Sequence, residues 1–423
     1  MQSGERRHDL DWLRVGAFGL LIFFHIGMFY SPWEWEVKSP RIVPEVLLGI
    51  EWSAPWRLLL LFVLAGAATR FMCRRQQPAE LFVTRSLYLL PPLFFAVLLI
   101  IPPQSYFRAV EQFGYSGGLW RLWLRYLAFD RGICRDGACL VMPNWNHMWF
   151  VAYLWVYTTA LLLVQRFAPA ALQALSRGAA PLLRGRFLLV VPALGLGLAH
   201  IGLAHFFPER HDFVHDWYMH AVFVSGFLFG FLFGTDEAVA RRAERLRWLA
   251  LAVAIVSYAA RTTYTWHYRD GLPIDMDLKV AMAMVYGFEQ WAWVIAALGL
   301  AHRHLAQRGG PLLRYLNNGV FPFYVVHQTV IVVAAHELAR LRLPLGVEAL
   351  LLVAISIAGC LAAVELVRRL PVLHLWFGYK RRDTGQAPAR PVRNADFGDF
   401  ARARRWRRRI LPATEETPWP TSR

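Results

Sequence analysis

Trp12-Leu13-Arg14-Val15-Gly16-Ala17-Phe18-Gly19-Leu20-Leu21-Ile22-Phe23-Phe24-His25-Ile26-Gly27-Met28-Phe29-Tyr30 is apolar except at Arg14 and His25. Wound as an α-helix, a run of this length crosses about 30 Å, the thickness of a bilayer's hydrocarbon core. Arg6 and Arg7 precede it as basic residues precede a signal peptide. Its length, its two internal ionisable groups and the Ser31-Pro32-Trp33 that follows, in place of small residues fit for cleavage, make it a transmembrane helix instead. Nine similar runs follow, near 53–72, 81–102, 147–166, 187–206, 217–234, 247–265, 279–301, 316–338 and 347–367. The expected fold is therefore all-α, a polytopic transmembrane bundle of about ten helices.

Composition agrees, with 57% hydrophobic and only 18% charged residues. A net charge of +17 would suggest nucleic-acid binding on a soluble protein, but here the basic residues cluster between apolar runs. Clusters fall at Arg70, Arg74 and Arg75, at Arg166, Arg177, Arg184 and Arg186, at Arg241, Arg242, Arg245 and Arg247, and at Arg303, Arg308 and Arg314. With ten spans these share one side with both termini, and the positive-inside rule makes that side cytoplasmic. Residues 1–370 form the membrane domain, and 371–423 a basic, disordered tail, rich in Pro, Ala and Arg, suited to anionic lipid headgroups rather than nucleic acid. In the long polar segment 103–146, Trp120, Trp123, Arg121 and Arg125 recur at helical spacing, as in an interfacial helix. Cys134 and Cys139 lie in the same segment, either bridged or as free thiols, and no metal-ligand spacing appears.

Arg14 and His25 are eleven residues apart, so they share one face of the first helix about 16 Å apart along its axis. An arginine inside a span costs about 2.5–3.5 kcal/mol even on lenient insertion scales, which makes such groups functional candidates. Read alone, Arg14 could equally snorkel to the interface, and His25 could tie two helices together.

Several local patterns accompany this pair: Arg7-His8-Asp9-Leu10-Asp11-Trp12-Leu13-Arg14 leading to His25, Phe62-Val63-Leu64-Ala65-Gly66, Arg85 with Leu89-Leu90-Pro91-Pro92-Leu93, His147-Met148-Trp149-Phe150, and Asn317 through His327. Together, over roughly residues 7–370, they resemble the acyltransferase family 3 membrane proteins, in particular the glucan succinyltransferase branch. The Arg-x10-His spacing is the most specific of them. The resemblance implies ten helices in a bacterial inner membrane, acyl-CoA as a cytoplasmic co-substrate with no tightly bound cofactor, and transfer of an acetyl or succinyl group to a hydroxyl of an extracytoplasmic or lipid-linked glycan. Such members often carry Arg-x-x-Arg entering the third span. Here Tyr88 stands where the second arginine would be, leaving Arg85, Arg74 and Arg75 with Arg14 as candidates for the donor phosphates.

A thioester needs little help to lose its thiolate, whereas an attacking hydroxyl needs its proton removed, so His25 is expected to be a general base or a transient acyl carrier. Glu289 is expected to orient His25 or line the acceptor path, and His147, Trp149 and His327 to contact substrate. His211 and Asp216 match a glycerolipid-acyltransferase pattern by chance, in a short polar loop. A transporter or flippase using Arg14, His25 and Glu289 as a polar relay is the competing reading. Oligomeric state is not legible in the chain.

Overall fold

A computed structural model describes residues 7–269 and 271–379. Its helices are α1 (His8–Tyr30), α2 (Val46–Cys73), α3 (Pro78–Phe95), α4 (Pro102–Phe113), α5 (Leu119–Leu127), α6 (Trp149–Phe167), α7 (Pro169–Leu183), α8 (Val190–Ala199), α9 (Trp217–Phe233), α10 (Glu237–His267), α11 (Met276–Leu305), α12 (Pro311–Arg340) and α13 (Leu345–Arg369). Each of the ten apolar runs expected from sequence coincides with a helix. The protein is an all-α, multi-pass integral membrane bundle.

Among the described residues, seven helical segments are long and apolar enough to span alone. They are α1, α2, α3 continued through α4, α6 with the turn before it, α11, α12 and α13. The remaining three runs fall short for separate reasons. α8 is short and ends in a π-helical turn at His200–Ala204, while α9 and α10 pass only as a pair bent by 117°. α3 carries Pro91 and Pro92 and reaches α4 through another π-helical turn, Ala96–Ile100. Proline removes a backbone donor, and the wider turn absorbs the interruption.

Small residues let helices meet at backbone distance, as membrane helices require when hydrophobicity alone cannot hold them together. A Cβ on Gly66 would strike the Phe227 carbonyl, and one on Gly230 the Val63 carbonyl, so the glycine of the Phe62–Gly66 motif is a seat for α9.

Contacts sort the connections into two ends. At one, Trp12 donates to the Arg308 carbonyl (2.7 Å), Arg184 meets Asp236 (2.6 Å), and Arg303 meets Glu244 (3.8 Å). The basic clusters thus share an end of the bundle. At the other, Arg41 meets Glu348 (2.8 Å), His336 meets Glu111 (2.7 Å), and Trp145 donates to the His211 carbonyl (2.7 Å).

That second end carries α5, with Leu122 and Tyr126 buried and Leu119, Trp120 and Leu124 exposed, the amphipathic division expected of it. Beyond it Cys134 and Cys139 are bridged across a two-stranded hairpin, β1 (Cys134–Arg135) and β2 (Ala138–Cys139). Within residues 371–379, the expected start of the tail, side chains pack against the bundle. Phe377 is buried, and Phe95 packs against both Trp376 (5.7 Å) and Phe377 (5.2 Å). The basic stretch Arg402–Arg409, expected to be disordered, lies outside the described residues.

Candidate active site

Three histidines from three helical segments converge inside the bundle. His25 of α1 and His327 of α12 face each other, Nδ1 to Nε2, at 3.2 Å. His147, in the turn before α6, stands edge-on to His327 with ring centres 5.0 Å apart. Their tautomers follow from backbone partners, because a carbonyl can only accept. His327 Nδ1 is 2.6 Å from the Tyr324 carbonyl, so that nitrogen carries the proton. The His327 Nε2 lone pair must then accept from His25 Nδ1–H, which leaves His25 with its own lone pair on Nε2. His147 Nε2 donates to the Val325 carbonyl (3.0 Å), and its Nδ1 faces the Gln104 amide at 3.5 Å. Gln104 is fixed in turn by Thr329 (2.6 Å) and Asn146 (2.8 Å). Of the three rings, His25 alone keeps a basic nitrogen outside this network, and its surface is partly open while His147 and His327 are buried.

Toward the basic end of α1 lies a second group. Arg14 donates to Asn317 Oδ1 at 3.3 Å, tying α1 to α12. Arg85 of α3 is buried, donates to Thr69 at 3.1 Å, and keeps an unpartnered Nε. Arg14, Arg85 and Tyr88 act on one another electrostatically, so two guanidinium groups share a region. Between these arginines and the histidines sits an aromatic layer. Phe18, on the face shared by Arg14 and His25, meets Tyr324 edge-on at 5.3 Å and Phe150 at 6.4 Å.

At the opposite end the segment from 31 to 45 folds back over the site. Trp35 stacks on the His25 ring at 6.0 Å. Lys38 Nζ donates to the carbonyls of Met28, Ser31 and Trp33, capping the end of α1. Arg41 and Tyr30 grip the buried Glu348, and Gln112 holds the Trp35 carbonyl at 2.6 Å. Glu36, beside Trp35, is buried with Oε2 unpartnered. Desolvation pushes its pKa up, while Arg108 opposes from a distance. A carboxyl with a raised folded-state pKa gives stability that is full below its unfolded pKa and is lost as pH rises through the folded one. Glu36→Gln should therefore raise the melting temperature at pH 7–8 by about 2–4 °C, with the advantage vanishing near pH 4, as thermal unfolding in detergent would read.

The sequence profile described as an acyltransferase domain, that of acyltransferase family 3, matches residues 7–365. The chain belongs to this family. Among curated proteins it is similar to the "Glucans biosynthesis protein C" of Escherichia coli and of Shigella boydii, each 23% identical over 402 residues that cover 91% of this chain and 98% of the relative. No solved structure matches it.

In this acyltransferase the expected site residues divide. His25, His327 and His147 come together, and Arg14 joins Arg85. Arg74 instead hydrogen-bonds Thr235 (3.1 Å), and Arg75 is exposed at the end of α2. Trp149 stacks on His211 (4.1 Å) and Phe223 (5.6 Å). Asp216 accepts from Tyr153 (2.5 Å) and from the Arg210 amide (2.7 Å). Glu289, expected to orient His25 or line the acceptor path, has its carboxylate on Arg261, at 2.6 Å and 3.1 Å. Arg261 also bonds Glu51 at 3.0 Å, and this triad, not the histidine cluster, holds α2, α10 and α11 together. Sequence reasoning passed over Arg57 and Arg261, although each is an arginine inside an apolar run, the same signal that marked Arg14. Trp35 and Gln104 carry no comparable signal, because only the fold brings them to the site.

Proposed function

We propose that this acyltransferase moves an acyl group, acetyl or succinyl, from acyl-CoA to a hydroxyl of an extracytoplasmic or lipid-linked glycan, with His25 Nε2 as the general base. The observation that carries the reading is the chain of hydrogen bonds from the Tyr324 carbonyl through His327 to His25, which leaves His25 Nε2 as a basic nitrogen outside the network. As His25 takes the acceptor's proton, the new imidazolium keeps donating from Nδ1 to His327, so the ring stays oriented throughout. The hydroxyl oxygen then bonds to the thioester carbonyl carbon, and the thiolate leaves with the proton that His25 returns.

The basic end faces the cytoplasm in this reading, as the positive-inside rule favours, and the bilayer is the bacterial inner membrane. Arg14 and Arg85 hold donor phosphates as charge-assisted hydrogen-bond donors. The separation of about 16 Å between Arg14 and His25 is comparable to the reach of an extended phosphopantetheine arm. Support for a carbohydrate acceptor comes from the relatives' name, which concerns glucans.

The test is release of free coenzyme A by purified protein in nanodiscs, offered acetyl-CoA or succinyl-CoA with and without a glucan. Acceptor-stimulated release from one donor is the expected result. Arg14→Ala and Arg85→Ala should each raise the donor KM by roughly tenfold or more, the loss of one charge-assisted phosphate contact. Absence of turnover with every donor and acceptor would return the polar residues to a transport relay.

A further inference from the structure

Arg57 is explained by neither the histidine relay nor the donor site. It lies within α2 at 2% exposure, among the most deeply buried large side chains of the described residues. Its guanidinium donates to Ser53 Oγ at 3.1 Å, and its Nε is buried without a partner. The guanidinium carbon stands 4.1 Å over the Phe24 ring, whose centre is 5.3 Å from that of His25, and Arg57 acts electrostatically on both His25 and His327. Glu209 acts on it through space but is paired with His211 at 2.6 Å.

Arg261 makes the contrast. It is buried too, and two carboxylates bond it. An ion taken out of water costs several kcal/mol even after relaxation, and the usual remedy is a bonded counter-ion. Arg57 has none among the described residues. Retaining a cation in that state, within electrostatic reach of His25 and His327, is intelligible if the balancing charge exists only during the reaction.

We propose that Arg57 stabilises the oxyanion of acyl transfer, its unpartnered N–H donating to the thioester carbonyl oxygen as the tetrahedral intermediate forms. The inference rests on the acyl-transfer reading above. When the acceptor oxygen bonds to the carbonyl carbon, its proton passes to His25 Nε2 and the carbonyl π pair moves onto the oxygen beside Arg57. Collapse re-forms the C=O bond, breaks the C–S bond, and sends the His25 proton to the departing thiolate. A fixed guanidinium needs no reorganisation as the charge develops, which is what makes such donors effective.

Arg57→Met keeps most of the side-chain volume and removes the charge. In the coenzyme A release assay it should lower kcat by about 10²–10³-fold with both KM values changed by less than about threefold, because the interaction belongs to the transition state. Its melting temperature in detergent should equal or exceed that of wild type, since an uncompensated buried charge has been removed. Arg57→Lys, which keeps a cation but loses the fork, should retain more activity than the methionine variant. Activity of Arg57→Met within tenfold of wild type overturns the assignment. So does a loss confined to the donor KM, which would make Arg57 a ground-state binder, and so does a lowered melting temperature or failure to fold, which would make it a structural ion. A wild-type protein that transfers no acyl group removes the functional reading itself, whereas an active wild type beside an indifferent Arg57→Met removes only this inference.

Discussion

His25→Ala should lower acceptor-dependent coenzyme A release by about 10²–10⁴-fold while leaving the protein folded, the range a positioned general base supplies. The size of the effect follows from geometry. Nδ1 is committed to His327, so Nε2 is the only nitrogen of that ring available to the acceptor. His147 cannot substitute, because both its nitrogens are engaged, and the His327 Nε2 that the variant frees stands 3.2 Å behind the missing ring. His327→Ala should cost less, since it frees the tautomer and orientation of His25 but leaves the base itself. Equal losses for the two variants would mean that His327 also handles protons. An unchanged rate in His25→Ala would end its role as base, with size-exclusion profiles of both variants guarding against misfolding.

The second large effect is on stability. Arg261→Met strands the fully buried Glu289 and half-buried Glu51 without their shared cation. Breaking a buried ion pair by removing one partner typically costs about 3–5 kcal/mol. Equilibrium unfolding in detergent should show a loss of that order. Arg261→Met combined with Glu289→Leu should recover part of it, because the penalty lies mainly in the unpaired charge rather than in the lost attraction. If the single variant is as stable as wild type, the triad does not hold α2, α10 and α11 together.

The spans and the His25–Arg14 face were legible in sequence because both rest on short-range regularities. A run of apolar residues announces its own length, and eleven steps around a helix return to the same azimuth whatever the neighbours do. The basic clusters were equally readable, and the structure gathers them at one end. Glu289 shows the limit of such reasoning. Sequence marks it as an ionisable group that needs a partner inside a membrane, but the choice between His25 and Arg261 depends on how α1, α10 and α11 are arranged, which no local pattern encodes. Trp149 was readable only as an aromatic at a helix start, and its stacking on His211 depends on a loop more than sixty residues away. Arg57 was overlooked for a different reason. Its apolar neighbours hid what sets it apart, a cation with no bonded counter-ion among the described residues and within electrostatic reach of His25 and His327, which only a folded structure can display.

The aromatic layer of Phe18, Phe150 and Tyr324 has a bearing on the cell's energy supply. An enzyme whose donor and acceptor arrive from opposite faces of an energised membrane needs polar groups deep in the bilayer, and polar groups joined by water conduct protons. Here the arginines on one side and the histidines on the other are separated by the edge-on rings of Phe18, Phe150 and Tyr324, with Trp35 lying over His25 beyond. Rings give a file of water little to bond to, and the Tyr324 hydroxyl is already spent on the His147 carbonyl. On the acyl-transfer reading proposed above, this layer is where an acyl group would pass while the proton gradient is kept.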